Sequence, residues 1–463
     1  MSIGQGVIHV IIHLGVDDID SPRGGCTTHF IYRLLGKWLH DPKVKLIDYP
    51  NLIRLNPGVP WKTRGNGALV LRLDTSRDPE DLLEEALAYA EEYVSEYRHP
   101  ESQPGIVLYK GEINALLEWF SRKALSDIVP LTLLDRIVGK LGDKIIYRRI
   151  TGGRRGLIGS LAGIGYRMTR TDYTYELIAY RSEENYGKPR KVPSESVKKM
   201  AMATRGRTFL NYDWETNKTL ILPHGPDPVL LGIRGEEPED VLEAFGMLDI
   251  EEPVEGALIF RTNQHTDAHL LRINNLREAY IYRSVRIKVR VHSKPKRITG
   301  GHVIFSVTDG VYVIDVAAYE PTGHFRNIVE ELLPGDTIEV MGVVRPMSRR
   351  HGPTINLEKL HVIALAPNVK LLNPLCPRCG SRLKSAGKNK GFKCPKCGLR
   401  ARDLYKEIVY LERKISPGWY EPPPRAFKHL MKPLERFGKE KKGFPERYIP
   451  TNFYLKGKSY FIA

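Results

Sequence analysis

An apolar run, Val7 to Val16, leads straight into Gly15-Val16-Asp17-Asp18-Ile19-Asp20-Ser21-Pro22-Arg23-Gly24-Gly25-Cys26-Thr27-Thr28, and Ile31, Leu34, Leu35, Trp38 and Leu39 follow at helical spacing. The pattern is a buried strand, a tight polar turn and a helix opening, with Thr27 or Thr28 as its N-cap. It predicts Asp17, Asp18 and Asp20 at the C-terminal end of a strand, beside a Gly-rich turn and a helix N-terminus. Open α/β sheets bind ligands at that place. Carboxylates can hold Mg²⁺ there, and turn amides can hold phosphate. Asp, Ser, Pro and Gly are also ordinary turn residues, so a structural turn is the competing reading. Three Asp within four positions repel one another unless a cation offsets them.

The rest of the chain is long enough, at 463 residues, for about three or four domains. It has no long apolar span and no signal peptide, so a soluble, cytoplasmic protein without a membrane partner is expected. Its charge is lopsided. Residues 276–463 carry 36 Lys+Arg against 16 Asp+Glu, while residues 1–275 carry 35 against 38. The back of the chain has the electrostatic footprint of a polyanion binder, and the front does not. Chemistry and nucleic-acid grip are therefore expected on different modules.

In the front half, Arg54 to Ala68 is rich in Pro, Gly and Asn and precedes a strand, Ala68 to Leu73. Lys62 and Arg64 flank Thr63 just before Gly65 and Asn66, either as a phosphate cradle or as a basic surface loop. The order is not that of a Walker A loop. Helices are expected over 78–97, 111–125 and 130–141. Gly-rich Arg154 to Gly165 suits close helix packing more than a backbone approach to a ligand. Strands and helices mix across roughly residues 130–270, as in an α+β layer structure. Polar side chains crowd the nine residues Arg261 to His269 after a strand, all but Ala268, a site-like concentration.

Residues 281–366 change character. Five strand candidates, with a helix between the third and fourth, read as an OB-fold β-barrel that binds single-stranded nucleic acid. Arg283, Arg286, Lys288 and Arg290 supply charge there, and Tyr282, Tyr312 and Tyr319 offer rings for stacking. Cys376-Pro377-Arg378-Cys379 and Cys394-Pro395-Lys396-Cys397 follow, separated by fourteen residues. Two matched pairs at this spacing predict a structural zinc ribbon, not a redox pair. Residues 411–463 carry 12 Lys+Arg against 5 acids, Lys428 and Lys432 among them, as a basic tail for RNA contact or a solvated tail.

Together these motifs carry a resemblance. Asp17 to Ser21 with Cys26-Thr27-Thr28, Asn56-Pro57 with Trp61 to Asn66, Arg155 to Gly159, Gly232 to Gly235, Thr262-Asn263-Gln264 with Thr266 to His269, Ala318 to Thr322 and the zinc ribbon occur in one order along nearly the whole chain. In this the chain resembles the archaeal tRNA(Ile) 2-agmatinylcytidine synthetase family. The resemblance implies a multidomain α+β protein: a kinase-like α/β domain (1–130), a ferredoxin-like domain (131–275, its boundary with the first possibly interleaved), an OB fold (276–368), a zinc ribbon (369–410) and a basic C-terminal tail (411–463). It implies that ATP phosphorylates the 2-oxygen of the wobble cytidine of the CAU-anticodon isoleucine tRNA, that the amine of agmatine displaces this phosphate, and that Thr27 is phosphorylated during turnover, with AMP and two phosphates as products.

This chemistry suits the residues. Asp17, Asp18 and Asp20 would hold Mg²⁺ on the triphosphate, and Lys62 and Arg64 would neutralise phosphate charge. Asp213 and Asp267 are candidates for the agmatine cation. Two departures stand out: the family has Thr where this chain has Ile19, which removes a hydroxyl, and the first nine residues read as an unimportant leader. The rival from another class is a non-catalytic OB-fold and zinc-ribbon nucleic-acid-binding protein, which leaves the three carboxylates unexplained. An RNA-adenylating ligase would need a lysine nucleophile motif that is not evident.

Overall fold

The computed structural model describes residues 9–21, 24–62, 65–97, 99, 101–226, 228–347, 352–457 and 460–461. The apolar run forms β1 (Val10–Asp17), with Ile12, Leu14 and Val16 buried. Both its neighbours are antiparallel: β3 (Gly67–Thr75) on one side and β4 (Gly105–Lys110) on the other. Beyond β3 lies β2 (Asn51–Arg54), and beyond β4 lies β5 (Ile145–Arg149). Helix α1 (Thr27–Trp38) follows the Asp-rich turn. Cys26 occupies the N-cap position, one residue before the expected threonines, and it makes no side-chain cap bond. The Asp20 carboxylate takes over that role, accepting the Thr27 N–H at 3.0 Å.

Helices α2 (Pro79–Tyr97), α3 (Ala115–Ser126) and α4 (Leu131–Leu141) match the sequence expectation to within a few residues. Past the expected boundary at 130/131 the chain stays on the first group of strands as far as residue 149. Strand β5 extends the first group of strands. Helix α5 (Arg155–Gly165) also lies on that group, where a Cβ on Gly15 of β1 would collide with the Ser160 carbonyl and come within 3.0 Å of Ile164. Strands β6 (Thr174–Arg181), β7 (Val229–Gly235) and β8 (Val254–Thr262) form the second group, with helices α6 (Ser194–Ala203) and α7 (Pro238–Gly246). Parallel pairing of Arg261 and Thr262 with Asn51 and Leu52 welds the groups into one twelve-stranded sheet.

The barrel is closed. Strand β9 (Ser284–Val291) pairs with β10 (Val303–Thr308) and β12 (Thr337–Arg345), β13 (Thr354–Ala364) bridges β12 to β11 (Val313–Ala318), and β11 returns to β10. Val285, Phe305, Val316, Ile338 and Leu360 fill its interior, and α8 (Phe325–Glu330) plugs one end through buried Phe325 and Val329.

The last segment is not a solvated tail. Gly418–Tyr420 adds to β13 of the barrel, and Tyr454–Lys456 adds to β8 of the large sheet. Between them Arg436 is fully buried, bonded to Glu236 at 2.7 Å, Asp172 at 3.1 Å and the His265 carbonyl at 2.6 Å. The segment is a strap across both modules. Arg436 is held inside by these carboxylates, without which burial of its charge would be prohibitive. Among the described residues no helix is long and apolar enough to cross a membrane.

Under the sheet, His13 accepts from Arg72 Nη1 at Nδ1 (3.2 Å) and donates from Nε2 to the Gly111 carbonyl (3.1 Å), which defines a neutral ring. Burial, and secondly Arg72, push its pKa down to about 3. The unfolded chain takes up this proton near pH 6.5, so the stability conferred by the neutral ring is complete above that pH and is lost progressively toward pH 3. Between about pH 6.5 and pH 5 the loss from His13 is about 2 kcal/mol. Urea unfolding at about pH 7 and about pH 5 should show at least this difference, and His13→Gln should flatten it by the same amount. Buried His265 and half-buried His429, also held well below the ordinary value, act in the same direction.

Candidate active site

Strands β1, β2 and β8 run in the same direction, so the loops leaving their C-terminal ends share one edge of the sheet. There the ends of β1 and β2 and the loops that follow them, with residues 124–131 and the start of α5, enclose a cavity of about 430 Å³. Asp17, Asp18 and Asp20 line it from the first loop and Trp61, Lys62 and Asn66 from the second; Asp127, Arg155 and Gly159 close the far wall. The Asp-rich turn and the loop after β2, well separated in sequence, thus face one space.

Each carboxylate has a distinct support. Asp18 sits at φ 63°, a conformation that Asp and Asn tolerate better than other side chains. Its Oδ2 accepts the Gln103 N–H at 2.8 Å. Gln103 in turn caps α5: its Oε1 accepts the N–H groups of Arg154 (3.1 Å) and Arg155 (3.2 Å), and its carbonyl accepts that of Gly156 (3.1 Å). One residue therefore ties the Asp turn to the helix behind the cavity. The Asp20 carbonyl accepts from Ser102 Oγ at 2.7 Å. Asp17 lies against α5 so closely that a Cβ on Gly159 would overlap its Oδ2 and lie 2.6 Å from its Cγ. Burial, then Asp18, then Asp20 raise the Asp17 pKa well above the usual carboxylate range. This is a concentration of negative charge, and its oxygen donors suit a hard divalent cation.

Cationic groups face the carboxylates. Lys62 has its pKa lowered by burial and then by Arg345 and Lys428, so three positive charges converge near the cavity mouth. Arg54 is withdrawn behind Gly65, where an added Cβ would lie 2.6 Å from its Nη1 and 2.8 Å from His429 Nε2. Burial lowers its pKa, while Glu176 and Asp20 pull the other way. Asn66 holds its loop shut, with Nδ2 donating to the Asn56 carbonyl at 2.8 Å. Arg64 lies outside the described residues. Thr27 is 1% exposed and does not line the cavity; its Oγ1 has no hydrogen-bond partner among the described residues. Ile19 is buried in the core beside the turn.

Several expected site residues are engaged elsewhere. Asp213 is fully buried and paired with Arg425 of the strap at 2.8 Å. Asp267 binds Lys359 of the barrel at 2.6 Å and the Lys432 N–H at 2.7 Å. Neither lines the cavity. Of the six expected RNA-binding cations, Arg283 reaches across to Asp127 at 2.6 Å, joining barrel to cavity wall. Arg286 pairs with Glu339 at 2.7 Å, Lys428 with Glu358 at 2.8 Å, and Lys432 with Glu440 at 2.9 Å. Lys288 and Arg290 remain exposed on β9. Sequence reasoning missed Arg54, Gln103 and Asp127 as site residues. Gln103 and Asp127 sit in ordinary loop contexts, whereas the Arg155-Gly156 helix opening carried a local signal.

The four paired cysteines converge. Their sulfurs all lie within 4.8 Å of one another, with Cys376–Cys397 at 3.6 Å and Cys379–Cys394 at 3.5 Å. Tetrahedral zinc thiolate coordination, with bonds near about 2.3 Å, requires sulfurs about 3.8 Å apart. Cys376, Cys379, Cys394 and Cys397 therefore fit a structural Zn²⁺.

Comparison with known proteins agrees with this layout. Residues 13–146 match the TiaS TCKD domain, 154–269 the TiaS FLD domain, 285–363 an OB-fold nucleic acid binding domain and 373–415 the TiaS C-terminal zinc ribbon domain. The tRNA(Ile) 2-agmatinylcytidine synthetase TiaS of Staphylothermus marinus is 61% identical over 446 residues, covering 96% of this chain and 97% of the relative. That of Pyrococcus horikoshii is 41% identical, covering 92% and 97%. A crystal structure of TiaS with its isoleucine tRNA and ATP superposes with a TM-score of 0.82 at 37% identity, covering 92% of this chain and 97% of that one. A complex of TiaS with the same tRNA, AMPCPP and agmatine gives 0.78 at 34%, covering 95% and 99%. With identity this high over nearly its whole length, the chain belongs to the family of tRNA(Ile) 2-agmatinylcytidine synthetases.

Proposed function

We propose that this chain joins agmatine to C2 of the wobble cytidine of the CAU-anticodon isoleucine tRNA in the cytoplasm, consuming ATP and changing codon reading from AUG to AUA. The observation that carries the reading is the carboxylate trio facing Lys62 across one cavity, in a chain of this family.

A ring carbonyl is a poor electrophile, because its oxygen is a poor leaving group. Phosphoryl transfer from ATP to the cytidine 2-oxygen makes that oxygen a phosphate. The agmatine amine then attacks C2, the C2–O bond breaks, and phosphate leaves. The amine sheds a proton as the C–N bond forms, and a carboxylate at the cavity wall accepts it. Lys62, with Arg64, offsets the charge that develops on the transferring phosphoryl oxygens. Asp17, Asp18 and Asp20 would hold Mg²⁺, which supplies charge neutralisation on the triphosphate. Gln103 keeps Asp18 in position for this, and Asp20 tethers the start of α1. Thr27 opens that helix with its N–H held by Asp20 and its Oγ1 buried beside the cavity lining; its hydroxyl must turn toward the triphosphate to take the second phosphoryl group, which water then releases, so that ATP ends as AMP and two phosphates. The anticodon base must leave its stack to enter the cavity. Lys288 and Arg290, exposed on β9, and the Lys62 and Arg345 charges favour the tRNA backbone.

The test is incorporation of labelled agmatine into the CAU-anticodon transcript with ATP and Mg²⁺. Label in the wobble nucleoside is the expected result. Tight tRNA binding without ATP consumption or label, in folded zinc-loaded protein, would favour a non-catalytic binding protein instead.

A further inference from the structure

Asn56 and Pro57 belong to the motifs that carry the family resemblance, yet neither lines the Asp cavity. Asn56 is fully buried, and each of its polar atoms has a partner. Its N–H donates to the Ala124 carbonyl at 3.1 Å, and its carbonyl accepts from Asn66 Nδ2 at 2.8 Å. Ala124 and Asn66 both line the cavity, from separate segments. The Asn56 side chain reaches the barrel. Nδ2 donates to the Tyr282 carbonyl at 2.9 Å, while Oδ1 accepts the Ser284 hydroxyl at 3.3 Å and the Gly58 N–H at 2.8 Å. One side chain therefore knots together the Lys62 loop, the 124–131 wall and the start of β9.

The barrel meets the same two segments again nearby. A Cβ on Gly58 would collide with the Tyr282 carbonyl and lie 2.9 Å from Val343 Cγ1, and Arg345 Nη1 donates to the Gly58 carbonyl at 3.3 Å. On the other wall Arg283 Nη2 donates to Asp127 Oδ2 at 2.6 Å. Burial works to raise the Asp127 carboxyl, but Arg283, and then Lys123, hold it below the usual carboxylate range. Tyr282, between these anchors, sits at φ 69°, a conformation that bulky side chains rarely adopt. It is pinned on both sides, its N–H donating to the Val344 carbonyl at 2.7 Å and its carbonyl accepting from Asn56. Strain of this kind persists only where the surroundings over-determine it, as they do at sites that must hold a geometry.

We propose that the start of the barrel is part of the phosphoryl-transfer site: Asn56 and Arg283 are positioning residues that set the Lys62 loop and the 124–131 wall at a fixed spacing across the ATP cavity. The assignment rests on the synthetase reading above and adds what fixes the shape of its cavity. Loops are the mobile parts of a sheet protein, whereas reacting groups must be held to within about 0.5 Å. Strand β9, laddered to β12 over Ser284 to Arg290, supplies a rigid edge against which both loops are set. Arg283 also acts through charge. Without it, Asp127 keeps Lys123, at 3.1 Å, as its remaining side-chain cation, and its carboxylate opposes a triphosphate in the same cavity. Asn56 and Arg283 touch none of the reacting atoms; they act through the residues they hold.

The test is calorimetric titration of a non-hydrolysable ATP analogue with Mg²⁺ into the full zinc-loaded chain without tRNA. Beside it stand the ATP KM and kcat of agmatine incorporation and the Kd for the CAU-anticodon transcript. Arg283→Ala should weaken analogue binding and raise the ATP KM by about tenfold, the loss of one charge-assisted hydrogen bond. Its kcat at saturating ATP should change less than its KM, and its tRNA affinity should stay within about threefold of wild type. Arg283→Lys should restore most of both ATP quantities. Asn56→Ala should move them further in the same direction; if it does not fold, Arg283→Ala and its lysine rescue carry the test. Weakened tRNA binding at unchanged analogue affinity and ATP KM would make Arg283 an RNA contact and overturn the assignment. So would a lower melting temperature with analogue affinity and ATP KM unchanged, which is what a purely structural junction gives. A wild type that binds the analogue in this variant-sensitive way but incorporates no agmatine would leave the positioning role standing and remove the synthetase reading.

Discussion

Asp18→Asn lowers the single-turnover rate of agmatine incorporation by about 10³-fold or more, roughly 4 kcal/mol in the barrier, while tRNA affinity stays within about threefold. The substitution is chosen for what it leaves alone. Asn accepts the φ of 63° at this position, and its side-chain oxygen still receives the Gln103 N–H that now reaches Asp18 Oδ2 at 2.8 Å. The cap on α5 is untouched. The change is one negative charge beside two others, at the place proposed for the triphosphate cation. The same loss relieves the repulsion that raises Asp17, so the melting temperature should hold or rise. An enzyme that becomes more stable as it becomes inactive is the signature of charge retained for function. A rate within tenfold of wild type would remove Asp18 from the phosphoryl-transfer site.

Gly159→Ala costs about 10²-fold in the same rate, together with about 1–3 kcal/mol of stability. The added methyl group would overlap the Asp17 carboxylate. Either that side chain rotates away from the cation site or α5 lifts off β1, and both displace groups that must be held to within about 0.5 Å. The control lies one helix earlier. Gly139 is exposed in α4 and has nothing within 4 Å of an added Cβ. Gly139→Ala should therefore gain about 0.5–1 kcal/mol from helix propensity with no change in rate. Equal behaviour of the two alanines, in rate and in melting temperature, would show that close approach at Gly159 is unimportant.

Gly159 also shows where local reading stopped short. Its small-residue segment is a packing helix, as its composition indicates, yet what it packs against is a catalytic candidate. The same division runs through the molecule. Strand β1, the polar turn and α1 were legible because an apolar run, then a Gly-rich interruption, then a period of about 3.6 are written in consecutive residues. The barrel strands were legible by alternation of apolar and polar residues, and the zinc site by Cys spacing, since two thiolates three positions apart bind one ion through local geometry alone.

Tertiary structure decided everything that depends on a partner distant in sequence. The continuous sheet rests on Arg261 and Thr262 meeting Asn51 and Leu52, and no local period announces which edge strand will meet which. Arg283 looked like an RNA contact until it found Asp127; Arg436 looked solvated until it found Glu236, 200 residues away. A charged side chain has the same composition whether it faces water, phosphate or a buried carboxylate. Its environment separates these roles, and only the folded chain supplies it. The three carboxylates at the end of β1 were therefore readable from residues 17–20, whereas Gln103 and Asp127 become candidates only because the fold carries them to the Asp turn and its cavity.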